Sequence, residues 1–368
     1  MSDIYAVIMP RWGLTMEEGT VTDWIVPLSG KVTKGGDVAE AESTKLAGTI
    51  EAPGDGIVRR QIVPPGQTVP VGALIGVVAP EGVAEADIDA FVASFTPIEL
   101  TDDEGATAGP QTVEVGGATI SYLRRGEGQN AVVFIHGFGG DANGWGMVQE
   151  ALSGEADTIA LDLPGHGNST KTITDATLEG QAKLVAAVLD ALGVGKAHLV
   201  GHSMGAAVAL SLAIADPGRV ASLTLLAPAG LGPQINDAYL TGFIAADKRR
   251  DMERVLQYLF ADKTLASRAL AEDVIKYKRL DGVKEALSIL HDGFIKDGVQ
   301  SVSLRNGLEA LTIPVAILWG ASDEIIPPSQ GDGLPANIAV TRLNDVGHMP
   351  QIEAAAQVIE TLKAALSA

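Results

Sequence analysis

From residue 113 onward, short apolar runs of strand character alternate with helical segments, and this alternation dictates the architecture of most of the chain. AVVFIHG (131–137), DTIALDLPG (157–165), AHLVGHS (197–203), ASLTLLAP (221–228), PVAILWGASD (314–323) and AVTRLNDVGH (339–348) read as buried strands. Helical patterns at 178–192 and 205–215 lie between them, and TVEVGGATISYLRRG (112–126) reads as a hairpin. Parallel neighbours need long crossovers, so the expectation is a mostly parallel sheet with helices on both faces. Residues 231–310 interrupt the series with helical pattern and no strand signal, and read as a cap inserted between two strands.

Within that series GHSMG (201–205) joins the apolar run HLV to the small-residue segment AAVALSLAIA. Flanking glycines on a strand–turn–helix pattern permit the tight turn that presents a serine hydroxyl, here Ser203. The same turn aims the next N–H, that of Met204, at a developing oxyanion. A serine needs a base, and His348 in DVGHMP follows the last strand. Of the other histidines, His202 abuts Ser203 but would point away from its hydroxyl, and His136, His166, His198 and His291 read as structural. The acid that orients the base is expected at Asp323 in WGASDEIIP, with Glu324 and Asp162 as rivals. The order Ser203, Asp323, His348 is that of one recurrent serine triad. HGFGG (136–140) follows the strand AVVFI, and its turn can supply Phe138 N–H as a second oxyanion donor.

The N-terminal part follows a different grammar. EGTVTDWIVPLSG (18–30) is echoed by DGIVRRQIVPPG (55–66), with Gly30 aligned to Gly66 and Gly36 to Gly72. Each copy reads as short β-branched strands between Gly/Pro turns, and two copies suit a small all-β sandwich of two similar sheets. Lys45 stands at the tip of the turn expected between the copies. Residues 81–112 hold eight acidic and no basic side chains and read as an acidic flexible linker. Inside it, Ile88, Phe91, Val92 and Phe95 share one face of a short amphipathic helix.

Composition excludes several classes. The chain has no cysteine, which removes disulfides and a cysteine nucleophile, so any thiol must come from a cofactor or substrate. A net charge of −20 opposes binding to nucleic acid or an anionic membrane. No metal-ligand cluster stands out. No long apolar run and no basic-then-apolar leader occur, and the expectation is a cytoplasmic protein.

Residues 113–368 resemble the α/β-hydrolase superfamily through HGFGG, DLPGHGNS, GHSMG, WGASDEIIP and VGHMP. Residues 1–80 resemble lipoyl domains, and KVTKGGDVAEAESTK matches the approach to the lysine that carries lipoamide, which makes Lys45 the attachment site. That family commonly has Asp-Lys-Ala there, where this chain has Thr44-Lys45-Leu46. Biotin carriers place methionine on both sides of the lysine, and neither neighbour of Lys45 is methionine. The combination resembles the acyltransferase (E2) components of acetoin dehydrogenase complexes. It departs from ordinary 2-oxo-acid E2 chains in lacking a basic subunit-binding domain and an H-x-x-x-D-G motif. The resemblance implies acetyl transfer from lipoyl-Lys45 to coenzyme A, a thiamine-dependent E1, a dihydrolipoamide dehydrogenase E3 and a homo-oligomeric core. Two alternatives stay open at this point: an ester or thioester hydrolase with an appended lipoyl carrier, and a non-catalytic scaffold. Cap clusters Lys248-Arg249-Arg250 with Arg254, and Lys276-Tyr277-Lys278-Arg279, are the densest basic groups that could meet coenzyme A phosphates.

Overall fold

The computed structural model describes residues 4–10, 16, 18–42, 47–96 and 109–367. It divides into two compact units, Met1–Gly109 and Pro110–Ala368.

The first unit holds two four-stranded antiparallel sheets. One runs Tyr5–Ile8, Leu74–Ala79, Gly56–Gln61, Lys31–Val32; the other runs Ala47–Glu51, Asp37–Glu42, Glu18–Asp23, Thr68–Pro70. Each sequence copy therefore builds the two inner strands of one sheet and lends its short strand to the edge of the other, so neither copy closes alone. Val7, Val21, Val38, Val58, Ile75 and Val78 fill the space between. The hydrogen bonds repeat at a constant offset of 37 residues: Val26 N–H to Val38 O matches Val63 N–H to Ile75 O, both 3.1 Å. Positive φ falls at Ser29 (66°) and Gly66 (87°), and at Gly35 and Gly72 (both 79°). This corrects the glycine-to-glycine alignment by one residue. The first copy holds a serine in the left-handed conformation where the second has the unstrained glycine.

The helix Glu85–Ser94 belongs to this unit. Ile88 is fully buried against Val77, Ala79 and Val83, and Phe91 and Val92 pack beside it. Arg59 and Arg60 reach Glu85 at 2.5 and 2.8 Å, and Arg60 reaches Asp89 at 2.5 Å. The expected apolar stripe thus covers the sandwich itself. Lys45 and the acidic triplet 102–104 lie outside the described residues; beside Lys45, the flanking strands pair with Glu42 opposite Ala47.

The second unit is built on an eight-stranded mixed sheet. Its order is Ile338–Leu343, Val315–Gly320, Val220–Leu226, Ala197–His202, Ala131–Ile135, Asp157–Leu161, Ala118–Arg125, Gln111–Val115. The first six are parallel; the N-terminal hairpin is antiparallel. Central strands are buried at nearly every residue, which requires cover on both faces. Helices Leu178–Ala191 and Met204–Ala215 pack on one another, as do Gly146–Leu152 and Ala355–Leu366.

Between the strands Val220–Leu226 and Val315–Gly320 lies a cap of helices Asp237–Ala245, Arg249–Leu256, Arg268–Lys278 and Val283–Phe294. It also contains a two-stranded hairpin, Ile295–Lys296 with Val299–Gln300, where sequence patterning showed no strand. Asp297 and Gly298, with φ of 54° and 75°, form its two-residue turn. An Asp-Gly pair is a recognised hairpin signal, but strands of two residues are too short to show alternation.

Candidate active site

Four of the predicted residues follow the C-terminal ends of parallel strands, so they emerge at one edge of the sheet. Ser203 follows Ala197–His202, Phe138 follows Ala131–Ile135, Asp323 follows Val315–Gly320 and His348 follows Ile338–Leu343. This is where open parallel sheets gather their sites.

Ser203 sits at φ 54°, ψ −117°, a strained conformation held by its neighbours. Its N–H donates to Leu226 O at 2.9 Å and its C=O accepts from Ala229 N–H at 3.1 Å. The two flanking glycines are demanded by contact. A Cβ on Gly205 would lie 2.2 Å from Ile135 O, and one on Gly201 would lie 2.4 Å from Ala206 Cα. Ser203 is 8% exposed. Among the described residues its hydroxyl makes no hydrogen bond.

Asp323 and His348 are brought together. His348 Nδ1–H donates to Asp323 Oδ2 at 2.8 Å, and both side chains are essentially buried. The same carboxylate accepts Trp319 Nε1–H at 3.0 Å on Oδ2, and the amides of Ile325 and Ile326 at 2.8 and 3.0 Å on Oδ1. Burial pushes the Asp323 carboxyl up. The His348 imidazole and the two amides outweigh that and hold it below the usual carboxylate range. The rivals are engaged elsewhere. Glu324 pairs with Lys263, while Asp162 accepts from Ala142 and Asn168 amides at 2.8 and 2.9 Å and braces the DLPGHGNS loop.

His202 turns its ring to the backbone of His348. Its Nε2–H donates to His348 O at 2.7 Å, so it ties the elbow to the backbone of the predicted base. Burial pushes its pKa down to about 3, with His348 adding to the effect, and the ring is neutral. His136 and His166 pin the HGFGG turn. His136 Nε2 accepts Leu163 N–H at 3.0 Å, so its Nδ1–H donates to Gly137 O at 2.8 Å. His166 Nε2 accepts Gly139 N–H at 3.0 Å. Burial lowers both pKa values, which keeps these acceptors unprotonated. His198 bonds Ser222 Oγ at 2.8 Å, and His291 bridges Asp237 and Asp292 in the cap.

The turn so held lies against the elbow: a Cβ on Gly137 would come 3.0 Å from Ser203 Cβ. The N–H groups of Phe138 and Met204 have no protein acceptor among the described residues. Phe138 also meets Phe243 of the cap edge-on at 6.0 Å. Four members of the basic clusters are engaged within the cap. Arg249 pairs with Glu253 and Glu272, Arg254 with Asp251 and Lys276 with Asp273, while the buried Lys278 donates to Ala246 O at 2.5 Å and caps a helix end.

Sequence reasoning did not find Trp319 or Glu353, which hold Asp323 and the His348 loop. Trp319 opens the WGASDEIIP motif without a role legible there, and a glutamate on a short helix carries no motif.

The family model described as alpha/beta hydrolase fold matches residues 130–355, and that described as biotin-requiring enzyme matches residues 6–78. A dihydrolipoyllysine-residue acetyltransferase component of the acetoin cleaving system from Pseudomonas putida is 43% identical over 100% of this chain and 99% of its own length. Its counterpart from Cupriavidus necator is 41% identical over 96% of this chain and 94% of its own length. Among solved structures, a 2-hydroxy-6-oxo-6-phenylhexa-2,4-dienoate hydrolase from Rhodococcus matches with a TM-score of 0.61 at 21% identity, over 71% of this chain and 100% of that one, which speaks for the fold alone. On these grounds the chain belongs to the family of dihydrolipoyllysine-residue acetyltransferase components of acetoin cleaving systems, a biotin/lipoyl-type domain joined to an α/β-hydrolase fold.

Proposed function

We propose that the second unit transfers an acetyl group from a lipoyl thioester to coenzyme A through Ser203, His348 and Asp323. The lipoyl group, carried on Lys45, supplies a thiol that holds the acyl group. A lysine between two paired strands, Glu42 opposite Ala47, fits such an attachment. Ser203 Oγ attacks the thioester carbonyl while His348 Nε2 takes the hydroxyl proton. The N–H groups of Phe138 and Met204 stabilise the oxyanion. As the C–S bond breaks, His348 returns the proton to the departing sulfur. The coenzyme A thiol then loses its proton to His348 and attacks the acetyl-serine, and Ser203 regains its proton. Asp323 holds Nδ1–H throughout and remains ionised.

The observation that carries this reading is the buried Asp323–His348 pair, whose His348 carbonyl accepts from the ring of His202, the residue before Ser203. In the free enzyme a catalytic hydrogen bond is commonly long and tightens once substrate is bound, so the unpaired Ser203 hydroxyl is compatible with it. The lipoyl donor is recharged by a thiamine-dependent E1 and reoxidised by an E3 in a cytoplasmic complex with a homo-oligomeric core. The test is single-turnover acetyl transfer by Ser203→Ala. A loss of at least about a hundredfold, with an acetyl increment on Ser203 in the wild type, is expected. Undiminished acetyl-CoA formation by the variant would refute the proposal.

A further inference from the structure

His348 is held by its backbone as firmly as by its ring. Its N–H donates to Leu259 O of the cap at 2.7 Å, and its C=O accepts from His202 at 2.7 Å. One residue earlier, Gly347 N–H donates to Glu353 Oε2 at 2.8 Å. The other oxygen of that carboxylate accepts two cap amides, Ala261 at 2.7 Å and Asp262 at 3.3 Å. Gly347 meets the cap so closely that a Cβ would lie 2.6 Å from Ala261 N. Among the described residues no basic side chain pairs with Glu353, so the three amides are the partners of its charge. Bonds of this charge-assisted kind are about twice as strong as neutral ones.

From this geometry we infer that Glu353 is a positioning residue that fastens cap residues 259–262 to the loop carrying His348, so the base is in place only while the cap is seated. The inference rests on the reading of His348 as the general base. Its consequence concerns water. Hydrolysis of an acetyl-serine needs the base as much as attack by a thiol does. With cap and base joined, lifting the cap to admit solvent also withdraws the base, and the acyl group survives until the thiol acceptor is bound and the site closed.

The experiment uses the full-length lipoylated chain with acetyl-dihydrolipoamide as donor. Glu353→Gln keeps size but turns one donor toward an amide donor; Glu353→Ala removes the bridge. The readouts are kcat, KM for coenzyme A, and free acetate released per acetyl-CoA formed. The expected result is a fall in kcat of about tenfold or more, KM within about twofold, and a several-fold larger acetate share, in variants that melt several degrees lower but stay folded at the assay temperature. A merely structural role would leave the acetate share alone. Folded variants with wild-type kcat and acetate share overturn the inference. Hydrogen exchange in the wild type is a second measurement that needs no variant: residues 259–262 and 346–348 are expected to open together, and independent opening also overturns it. Ser203→Ala and His348→Ala run in parallel separate the two claims. If they retain transfer, the catalytic reading fails; if they lose it while Glu353→Gln is unaltered, only the cap linkage fails.

Discussion

Asp323→Asn tests the site where its geometry is most constrained. The carboxylate faces four donors: Oδ1 receives the Ile325 and Ile326 amides, and Oδ2 receives Trp319 Nε1–H and His348 Nδ1–H. Asparagine offers one oxygen. Kept on the two backbone amides, which cannot turn away, it leaves an NH2 group facing the indole and the imidazole. Trp319 retains Ile326 O at 3.1 Å as a second acceptor, so the indole remains paired. The imidazole has no such alternative and adopts the other tautomer, with Nδ1 accepting from the amide. Nε2 then carries the proton and no longer takes one from Ser203 or coenzyme A. In serine proteases the same change costs about 10⁴ in kcat, some 5 kcal/mol of transition-state stabilisation. The fold should lose one charge-assisted hydrogen bond, about 2 kcal/mol, because the amide occupies the same volume. The assay is rapid-mixing acetyl-CoA formation from acetyl-dihydrolipoamide, with urea unfolding alongside. A well-folded Asp323→Asn within tenfold of wild-type kcat would sink the argument that Asp323 sets the tautomer of His348.

Three further outcomes are expected. Gly205→Ala drives a Cβ to 2.2 Å from a main-chain oxygen of the neighbouring strand, so destabilisation of about 3 kcal/mol or more should appear in thermal melts, and an unchanged melt contradicts the close approach. His202, with a folded pKa of about 3 against about 6.5 unfolded, contributes stability that is complete above pH 6.5 and lost as pH falls toward 3; at pH 4.5 the loss is about 3 kcal/mol. His202→Gln, which keeps a donor for His348 O, should flatten that part of the stability curve, and an identical acid limb in urea titrations would count against it. Intact mass of wild type and Lys45→Arg should differ by one lipoyl increment beyond the substitution, and its presence on the variant would move the attachment elsewhere.

Periodicity was enough for the larger unit because a parallel strand buried on both faces must be largely apolar. Runs such as AVVFI and AHLVGH therefore appear at their true positions. The repeat likewise announced two similar sheets, but from Gly30 onward its register was one residue out. Matching glycines hid the serine that occupies a left-handed position at residue 29. The cap hairpin escaped because two-residue strands have no period.

Sequence by itself determined where the candidate residues stand and in what order, since a tight turn between strand and helix leaves a local trace in Gly201, Ser203 and Gly205. It also determined that Asp323 and His348 follow separate strands. Tertiary structure decided which carboxylate meets His348, what holds that imidazole, and how the cap is fastened to it. Trp319, Ile325 and Ile326 hold Asp323 from within four residues of it, while Leu259, Glu353 and the His202 ring act through contacts that long-range strand order creates. Those contacts join residues up to 146 positions apart, as between His202 and His348, so no local pattern could record them.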